Sequence, residues 1–318
     1  MGVSLVTGCS GFIGSNLVDE LLKNNEKVIG IDNFITGRKK FLEDANKNKN
    51  FIFYELDLLE INKYNEIFEK VDIVYHLAAN ADVRYGSDRP RIDLEQNTIV
   101  THNVLEAMRI NKIKKIVFSS TGSVYGDCKH IPTPENVSFP IQTSLYGASK
   151  LACEGLIQAY AEAFDIKAWI FRFVSILGER YTHGHVYDFY KKLKFDSSQL
   201  HVLGDGTQKK SYLHVGDCID AILFVLNNTN SSINIFNLGV NDFCDVKSSV
   251  EWICEDLNLS PKIIYSGGKQ GWIGDNPFIY LDVNKIIKLG WKPKLSIKQS
   301  ILRTVGFLKS NEWVFNER

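Results

Sequence analysis

A tyrosine and a lysine four residues apart carry the strongest chemical signal in this chain. They lie in Tyr146-Gly-Ala-Ser-Lys150 at the start of an expected helix, so both side chains share one helical face. A tyrosine acts as a general base only as the phenolate, and its ordinary pKa is about 10. A neighbouring ammonium favours the phenolate, and a pKa of about 7 requires roughly 4 kcal/mol of such help. The alternative is a helical spacing without function, as most Tyr-Lys pairs at this distance are, and it is the rest of the sequence that makes Tyr146 and Lys150 a candidate acid–base pair.

A group of hydroxyl side chains follows the expected strand at 114–119. The segment 119–126 reads SSTGSVYG, and Thr121 precedes Tyr146 by 25 residues. Ligands of open α/β sheets bind beyond the carboxyl ends of the strands. We therefore predict that Thr121 and Ser123 face the same crevice as Tyr146. The alternative is a Ser/Thr turn that merely caps a strand.

A glycine-rich loop joins the first expected strand to the first expected helix. It has the pattern G-x-x-G-x-x-G, with Gly8, Gly11 and Gly14 as its glycines and Phe12 and Ile13 before the last. Glycine permits a tight turn and lets a pyrophosphate approach the backbone amides. The helix N-terminus adds unpaired N–H groups and a positive dipole end. The loop predicts a dinucleotide site; the alternative is a turn that needs positive φ.

An aspartate ends the second expected strand and indicates which dinucleotide binds. Asp32 lies 18 residues after Gly14, where a carboxylate accepts from ribose hydroxyls and repels a 2′-phosphate. This predicts NAD rather than NADP, and the positive nicotinamide ring would join Lys150 in favouring the Tyr146 phenolate. The alternative is an aspartate that starts a turn before Asn33.

The elements around these residues alternate between short apolar runs and helical patterns. Strands are expected at 3–6, 27–31, 51–54, 71–76, 114–119 and 167–171, and helices at 12–23, 94–110 and 146–164. This rhythm predicts an α/β fold with a doubly wound parallel sheet, a Rossmann domain over residues 1–172. Residues 173–318 have shorter strands and helices near 246–257 and 296–309. They are expected to form a smaller, mainly substrate-binding α/β region, discontinuous, with some segments returning to the Rossmann sheet.

Composition excludes several classes of function. Lys+Arg and Asp+Glu both number 37 in 318 residues, so no global field attracts nucleic acid or an anionic membrane. No run of about 18 apolar residues is present, and the start of the chain predicts no signal peptide. Six cysteines without a CxxC pair predict reduced thiols in the cytoplasm. His183 and His185 lack further ligands nearby, so no metal is expected.

At these residues the chain resembles the extended short-chain dehydrogenase/reductase family, and within it the nucleotide-sugar epimerases and dehydratases. The resemblance spans nearly the whole length. The motifs are T-G-x-x-G-F-I-G (Thr7 to Gly14), D-N (Asp32, Asn33), D-L (Asp57, Leu58), H-L-A-A (His76 to Ala79), N-x-x-x-T-x-N-V-L-E-A (Asn97 to Ala107), S-S-T-G-S-V-Y-G, Y-G-A-S-K, G-D-G-T-Q (Gly204 to Gln208) and L-G-W-x-P (Leu289 to Pro293).

The resemblance implies a role for each matching position. Tyr146 is the base for the sugar 4-hydroxyl, Thr121 hydrogen-bonds the same oxygen, and Lys150 holds the nicotinamide ribose. Hydride passes from C4 of a nucleoside-diphosphate sugar to NAD⁺ and leaves a 4-keto sugar, chemistry typical of polysaccharide biosynthesis. The resemblance also implies a homodimer, formed by a four-helix bundle of residues 94–110 and 146–164. The cofactor contacts that it implies are Asp57 and Leu58 at the adenine, Leu77, Ala78 and Ala79 along the cofactor, and Asn97, which helps fix the active-site helix.

Departures from the family's pattern narrow the reaction. The 4,6-dehydratases place Asp-Glu where this chain has Gly122 and Ser123, and the decarboxylases use a glutamate in the same turn. Dehydration and decarboxylation are therefore not expected. On the substrate side, Ser175 stands in place of an asparagine and Lys210 in place of an arginine. A lysine meets a diphosphate as a point charge, without the bidentate fork of arginine.

The main hypothesis is a nucleotide-sugar 4-epimerase that uses a UDP- or GDP-linked sugar. The alternative is a GDP-heptose or GDP-hexose 4-dehydrogenase that releases the 4-keto product, because the substrate-side changes also resemble that group. A third hypothesis, from another class, is a non-catalytic protein that senses NAD. Arg84 is a further candidate contact for sugar or phosphate, with a structural salt bridge as the alternative.

Overall fold

The computed structural model describes residues 2–80, 85–138, 141–268 and 278–316, and the chain divides into two compact units. The first unit consists of Met1–Val124, Ser144–Arg172 and Ile222–Phe236. The second consists of Tyr125–Thr143, Phe173–Ala221 and Asn237–Arg318. A segment beyond residue 220 thus returns to the first unit, while the stretch that follows the SSTGSV turn leaves it.

The strands, in chain order, are β1 (Val3–Thr7), β2 (Lys27–Asp32), β3 (Phe51–Glu55), β4 (Ile73–His76), β5 (Lys115–Thr121), β6 (Lys167–Phe173), β7 (Ser175–Leu177), β8 (Gln199–Val202), β9 (Lys209–Lys210), β10 (Tyr212–His214), β11 (Ile233–Leu238), β12 (Cys244–Asp245), β13 (Lys262–Tyr265) and β14 (Phe278–Ile279). The α-helices are α1 (Phe12–Lys23), α2 (Tyr85–Asp88), α3 (Arg91–Asp93), α4 (Val100–Ile110), α5 (Leu145–Phe164), α6 (His185–Phe195), α7 (Val215–Asn228), α8 (Val246–Leu257), α9 (Asn284–Leu289) and α10 (Ile297–Ser310).

The large sheet has the strand order β11-β6-β5-β4-β1-β2-β3. The pairs that join β3, β2, β1, β4 and β5 are all parallel. The chain leaves β1 in one direction towards β3 and returns to β4 on the other side. The order therefore reverses between β1 and β4, and in such sheets the crevice at the carboxyl ends of these strands receives the ligand.

Both faces of this sheet are buried, which explains why its strands read as near-continuous apolar runs. Leu5, Ile31, Val74, Phe118 and Ile170, on five different strands, have no exposed side-chain surface. They belong to one apolar cluster with residues of α4 and α5. The predicted doubly wound fold is confirmed, and its seventh strand β11, of six residues, lies at a position for which no strand was specified from the sequence.

Helix α5 carries the candidate Tyr146/Lys150 pair and has well-defined ends. The Ser144 hydroxyl accepts a hydrogen bond from Gly147 N at 3.0 Å, which caps the first turn. Asp165 ends the helix in the left-handed conformation at φ 54°, a common C-terminal signal. Cys153 and Ile157 lie on its buried face.

The helix expected over 94–110 is not regular throughout. Residues Leu94–Ile99 form a π-helical turn, and the α-helical part α4 begins only at Val100. Turns of this kind insert one residue into a helix and frequently occur at functional sites. Here the turn contains Asn97, one of the predicted cofactor-site residues.

The second unit contains three small sheets and the helices that pack with them. The strands pair as β10-β7, as β12-β9-β14 and as β13-β8. Ser296 and Gln299 form a reciprocal capping box at the start of α10. Asp217 accepts from the backbone amides of Lys294 and Leu295 at 3.1 and 3.0 Å, so it fixes the segment that leads into α10.

Candidate active site

The glycine loop after β1 leaves no room for a side chain at Gly8 or Gly14. Gly8 has φ +69°, and a Cβ there would lie 2.8 Å from Ala78 N. A Cβ on Gly14 would lie 2.0 Å from Gly8 O. The first turn of α1 therefore packs directly on the loop, where Phe12 and Ile13 begin the helix. This cradle fits a pyrophosphate approached by backbone amides.

Asp32 lies at the carboxyl end of β2 and joins two loops. Its Oδ2 accepts from Ser10 N at 3.0 Å, and its Oδ1 accepts from Phe34 N at 2.8 Å. Arg38 N in turn donates to Ser10 O at 3.0 Å. Each carboxylate oxygen keeps lone-pair capacity for a further donor. Asp32 is therefore held where it can accept from ribose hydroxyls, and Asn33 beside it accepts from Ile35 N at 3.2 Å.

The other predicted cofactor contacts follow β3 and β4. Asp57 accepts from Leu59 N at 2.9 Å, and the carbonyl of Leu58 accepts from Tyr64 Oη at 2.9 Å. Leu77 and Ala78 donate their backbone amides to Thr7 Oγ1, both at 3.2 Å. These residues, together with Ala79, follow strands that border the switch point or lie on the β3 side of it.

A buried chain of hydrogen bonds links the end of β1 to α5. Thr7 Oγ1 lies 2.7 Å from His76 Nδ1, and His76 Nε2 lies 3.0 Å from Thr101 Oγ1. Thr101 donates to Cys153 Sγ at 3.3 Å. Because Thr7 Oγ1 already accepts two amides, its proton points to Nδ1, and the ring proton must lie on Nε2. Burial and the charge of Lys150 lower the pKa of His76 to about 3, so the ring is neutral.

Asn97 joins the π-helical turn to the start of α5. Its Nδ2 donates to Ser149 Oγ at 2.8 Å, and its Oδ1 accepts from Asn80 N at 2.8 Å. Ser149 Oγ donates to the backbone oxygen of Tyr146 at 2.8 Å. The side chain of Asn97 is therefore hydrogen-bonded, through Ser149, to the turn of α5 that carries Tyr146.

The three candidate catalytic side chains meet at the carboxyl end of β5. The Thr121 hydroxyl lies near that of Tyr146 and lowers the Tyr146 pKa, against the effect of burial. Lys150 is 2 % exposed, and its Nζ donates to Ser119 O at 2.9 Å and lies 4.6 Å from the ring centroid of Phe118. Thr121 Oγ1 also accepts from Ser123 N at 3.1 Å. Two hydroxyls and an ammonium are thus gathered where a ligand of this fold binds.

Three successive residues of β5 contact three successive turns of α5. Thr121 meets Tyr146, Ser119 O meets Lys150, and Ser120 Oγ donates to Glu154 Oε1 at 2.5 Å. The Glu154 carboxylate also accepts from Arg172 Nε at 3.0 Å and from Arg172 Nη2 at 2.7 Å. Sequence reasoning missed Glu154, although its position four residues after Lys150 placed it on the same helical face.

The electrostatics of the pair differ from the expectation. Burial raises the pKa of Tyr146, the hydrogen bond from Thr121 opposes this, and the charges of Asp93 and Cys153 raise it further. Burial lowers the pKa of Lys150 to about 8, against the charges of Cys153, Glu154 and Asp93. Desolvation outweighs the attraction expected from the lysine, so the protein alone does not favour the phenolate. A cationic ring bound nearby would supply that missing charge.

The predicted substrate contacts lie in different parts of the chain. Ser123 belongs to the first unit, in the turn after β5. Ser175 begins β7 and Lys210 ends β9, both in the second unit. Near Lys210, burial lowers the pKa of His185 to about 3, and the charge of the lysine adds to the effect. Arg84 lies outside the described residues.

Neither a metal centre nor a spanning helix is found in the described part of the chain. No group of three or more His, Cys, Asp or Glu side chains is arranged to hold an ion there. His185 Nε2 lies 2.8 Å from Ser249 Oγ, whereas His183 stacks on Tyr181 with ring centroids 6.0 Å apart. Within the same residues, no helix is both long enough and apolar enough to cross a bilayer.

Comparison with known proteins decides the family. A family model described as the NAD dependent epimerase/dehydratase family matches residues 4–239. The chain belongs to this family. A putative UDP-glucose 4-epimerase of Methanocaldococcus jannaschii is 36% identical, over 96% of this chain and 98% of that protein. A UDP-glucuronate 4-epimerase of Thermodesulfobacterium geofontis is 29% identical, over 98% and 97%.

Solved structures of the family agree with this assignment. A UDP-galactose 4-epimerase superposes with a TM-score of 0.87 at 33% identity and covers 98% of this chain and 100% of its own. A UDP-glucuronic acid 4-epimerase from Bacillus cereus, in complex with UDP-glucuronic acid and NAD, has a TM-score of 0.89 at 27% identity, with coverages of 97% and 99%. Membership confirms the predictions of an extended short-chain dehydrogenase/reductase fold, an NAD-dependent enzyme of the nucleotide-sugar type, and NAD as cofactor.

Proposed function

We propose that this protein is a UDP-sugar 4-epimerase in which Tyr146 is the base and Thr121 its hydroxyl partner. The proximity of these two hydroxyls carries the proposal, because the Thr121 hydroxyl acts on Tyr146 and lowers its pKa, and a sugar hydroxyl held at this point would meet both. The relatives compared above are described as acting on UDP sugars, which favours UDP over GDP. The turn after Thr121 offers Gly122 and Ser123 and no carboxylate for chemistry at C5.

Tyr146, Thr121 and Lys150 have different roles in the proposed reaction. Tyr146 Oη takes the proton of the sugar 4-hydroxyl, and Thr121 Oγ1 holds the same oxygen. Lys150, fixed by Ser119 O, places a positive charge beside the phenolate as it forms. NAD held by the glycine cradle and Asp32 would supply the hydride acceptor for C4, and then the donor that returns the hydride. Rotation of the 4-keto sugar between these steps exposes its other face, and Tyr146 gives the proton back.

The cofactor would be held by the glycine cradle of Gly8, Gly11 and Gly14 and by the carboxylate of Asp32. The remaining contacts proposed for it follow the other strands of the first unit and are Phe12, Ile13, Asn33, Asp57, Leu58, Leu77, Ala78, Ala79, Asn97, Tyr146 and Lys150. The two amides that already bind Asp32 keep its carboxylate oriented, which supports NAD rather than a 2′-phosphorylated cofactor.

Purified protein incubated with UDP-glucose, UDP-galactose or UDP-glucuronate tests the proposal, with products resolved by chromatography. We expect interconversion of 4-epimers without net reduction of NAD⁺. Stoichiometric build-up of NADH would instead support a 4-dehydrogenase, and GDP-hexoses run in parallel test the other base. Tyr146→Phe should lower the rate about 10²–10⁴-fold. Tyr160→Phe is the matched control on the same helix, because its hydroxyl bonds Glu106 at 2.6 Å, away from the site.

In addition to the hydroxyls of Thr121 and Tyr146, the substrate contacts that we propose are Ser123, Ser175, Lys210 and Arg84. Lys210 is the diphosphate contact in this scheme, since a phosphate group needs a cation and this lysine stands where the family has arginine. Lys210→Met should raise KM for the UDP sugar with little change in kcat. Lys209→Met, the adjacent residue on β9, is the control, because Lys209 is exposed and packs on Phe243.

We further propose a homodimer through a four-helix bundle of the helices around residues 94–110 and 145–164. Leu94, Ile99 and Leu145 expose 51%, 42% and 49% of their surface, and Gly155 and Ala159 on α5 are exposed as well. Small residues of this kind permit close helix contact. Light scattering after size exclusion should give twice the chain mass, and Leu94→Lys with Ile99→Lys should give the single chain.

A reducing compartment, the cytoplasm, is the location we propose. All six cysteines are free in the structure, and five of them are buried. Unpaired thiols are typical of proteins kept by cellular reductants. Fractionation of the source cells, with the protein followed by antibody, tests this location directly.

A further inference from the structure

Asp93 is a buried carboxylate near the candidate base, and no motif in the sequence draws attention to it. It ends the short helix α3 and is 1% exposed. Aspartate is almost never fully buried unless it is paired, because desolvation of a charge is costly. Among the described residues, no cationic side chain forms an ion pair with Asp93. A buried charge of this kind requires an explanation.

The carboxylate of Asp93 is fixed in position but only half used. Its Oδ1 accepts from Asn80 Nδ2 at 2.8 Å and from Asn97 Nδ2 at 3.3 Å. Its Oδ2 has no hydrogen-bond partner among the described residues. A Cβ at Gly86 would lie 2.3 Å from Oδ2, so a glycine is required beside it. Two amide donors on one oxygen favour the ionised form.

Asp93 is connected to Tyr146 both by bonds and by charge. Asn97 carries the connection to Ser149, whose hydroxyl bonds the backbone oxygen of Tyr146. Although burial raises the pKa of Asp93 itself, the negative charge of Asp93 also raises the pKa of Tyr146 and opposes the lowering of the Lys150 pKa by burial. The same side chain therefore positions the start of α5 and acts on both members of the pair.

The other titratable groups around this pair are accounted for differently. His76, from β4, is neutral because burial lowers its pKa to about 3. Burial raises the pKa of the Cys153 thiol on α5, so Cys153 acts on the pair by charge only where this thiol ionises. Glu154, also on α5, is bound by the guanidinium of Arg172 from β6. Asp93 is the carboxylate near the pair whose charge is not matched by a bonded cation.

We propose that Asp93 is a positioning residue that fixes the first turn of α5 through Asn97 and Ser149, and that its unneutralised negative charge contributes to the pH range in which Tyr146 and Lys150 act together. The inference rests on the proposed role of Tyr146 as base. The contact between Asp93 and Asn97 provides the positioning role, and the charge of Asp93, which no cation balances among the described residues, provides the electrostatic effect. No change in the covalent chemistry is involved.

The sign of the effect is fixed by charge. Loss of one negative charge lowers the pKa of both Tyr146 and Lys150, since each is then more easily deprotonated. Both limbs of a bell-shaped rate profile would therefore move to lower pH. A nearby single charge typically moves such values by one or more units, so we expect a displacement of about one pH unit.

Asp93→Asn is the informative variant, because the amide oxygen still accepts from Asn80 and Asn97 while the charge is lost. Asp88→Asn, in the exposed part of α2, is the matched control. The near-ultraviolet phenolate band is titrated with NAD⁺ present, and Tyr146→Phe identifies the contribution of Tyr146. We expect the midpoint about one pH unit lower in Asp93→Asn and unchanged in Asp88→Asn. The measurement needs no sugar and no turnover, so it remains informative if the epimerase proposal fails.

An unchanged midpoint in folded, NAD-binding Asp93→Asn would overturn the inference. Asp93→Ser is the second variant, since it removes the charge together with both amide contacts. The same downward displacement in both variants supports an electrostatic role, whereas a displacement in Asp93→Ser alone would assign the effect to the lost amide contacts and overturn the inference. If both variants lose their fold or their NAD binding, Asp93 is a structural residue and the proposed role is rejected.

Discussion

Replacement of Arg172 by methionine should destabilise the first unit strongly, in a way that depends on pH. The substitution leaves the Glu154 carboxylate without its cation, and the two side chains are only 10% and 1% exposed. Breaking one side of a buried ion pair costs about 3–5 kcal/mol. The carboxyl can escape this cost by taking up a proton, which at pH 7 costs about 4 kcal/mol for an ordinary pKa of about 4.3. We therefore expect a loss of about 4 kcal/mol at pH 7.

The pH dependence separates this mechanism from lost packing. In the variant the buried, unpaired carboxyl has a higher pKa folded than unfolded, so stability is lost as the pH rises. The deficit should shrink by about 1.4 kcal/mol per unit of acidification, or about 2 kcal/mol between pH 7 and pH 5.5. Urea unfolding of wild type and Arg172→Met at both pH values measures this difference.

Two controls make the outcome decisive. Arg172→Met combined with Glu154→Gln removes both charges and should recover most of the stability, since glutamine still accepts from Ser120. Arg303→Met breaks an exposed pair with Glu179, in which the side chains are 53% and 37% exposed, and should cost less than about 1 kcal/mol. A deficit of Arg172→Met that stays constant between the two pH values would refute the reasoning.

Three further predictions follow from the same geometry. Gly14→Ala should weaken NAD binding at least about 10-fold, because its Cβ would collide with Gly8 O at 2.0 Å; Gly155→Ala, with open space around its Cβ, should keep wild-type affinity in calorimetric titration, and equal affinities would contradict this account. Thr7→Val should lower stability by about 1–3 kcal/mol, because the Ala78 amide loses its acceptor, the Leu77 amide keeps only Thr7 O, and His76 Nδ1 loses its donor, as thermal unfolding would measure. Without NAD⁺, Tyr146 should titrate above the ordinary range of tyrosine, because burial raises its pKa; a phenolate present at neutral pH in the cofactor-free protein would disprove the assignment of that shift to desolvation.

The sequence predicted those features that local chemistry determines. Gly8 and Gly14 were found because a tight turn before a helix restricts the residue type, and Asp32 because it ends a strand at a fixed distance from the loop. The buried strands were found from their apolar runs. Family membership confirms the dinucleotide fold and NAD, whereas the roles of individual site residues remain predictions.

Features that depend on tertiary contacts were not predictable. Glu154 and Arg172 are 18 residues apart, and Ser120 is 34 residues from Glu154, so no local pattern joins them. The π-helical turn at 94–99 has an ordinary helical sequence, and its form follows from the bonds of Asn97 with Asn80 and Ser149. The pKa of Tyr146 is raised although Lys150 lies one helical turn away, because the tyrosine is buried. That burial results from the packing of the whole fold and cannot be inferred from the spacing of the two residues.

The imidazole of His76 does not take up or release a proton near neutral pH, although it lies close to the proposed acid–base pair of Tyr146 and Lys150. One nitrogen is occupied by the hydroxyl of Thr7 and the other by that of Thr101, and a second ring proton would oppose one of these donors. With a pKa of about 3, the ring stays silent across the whole working range of a cellular enzyme. A pH profile measured for this protein is therefore not expected to report on His76, the nearest histidine.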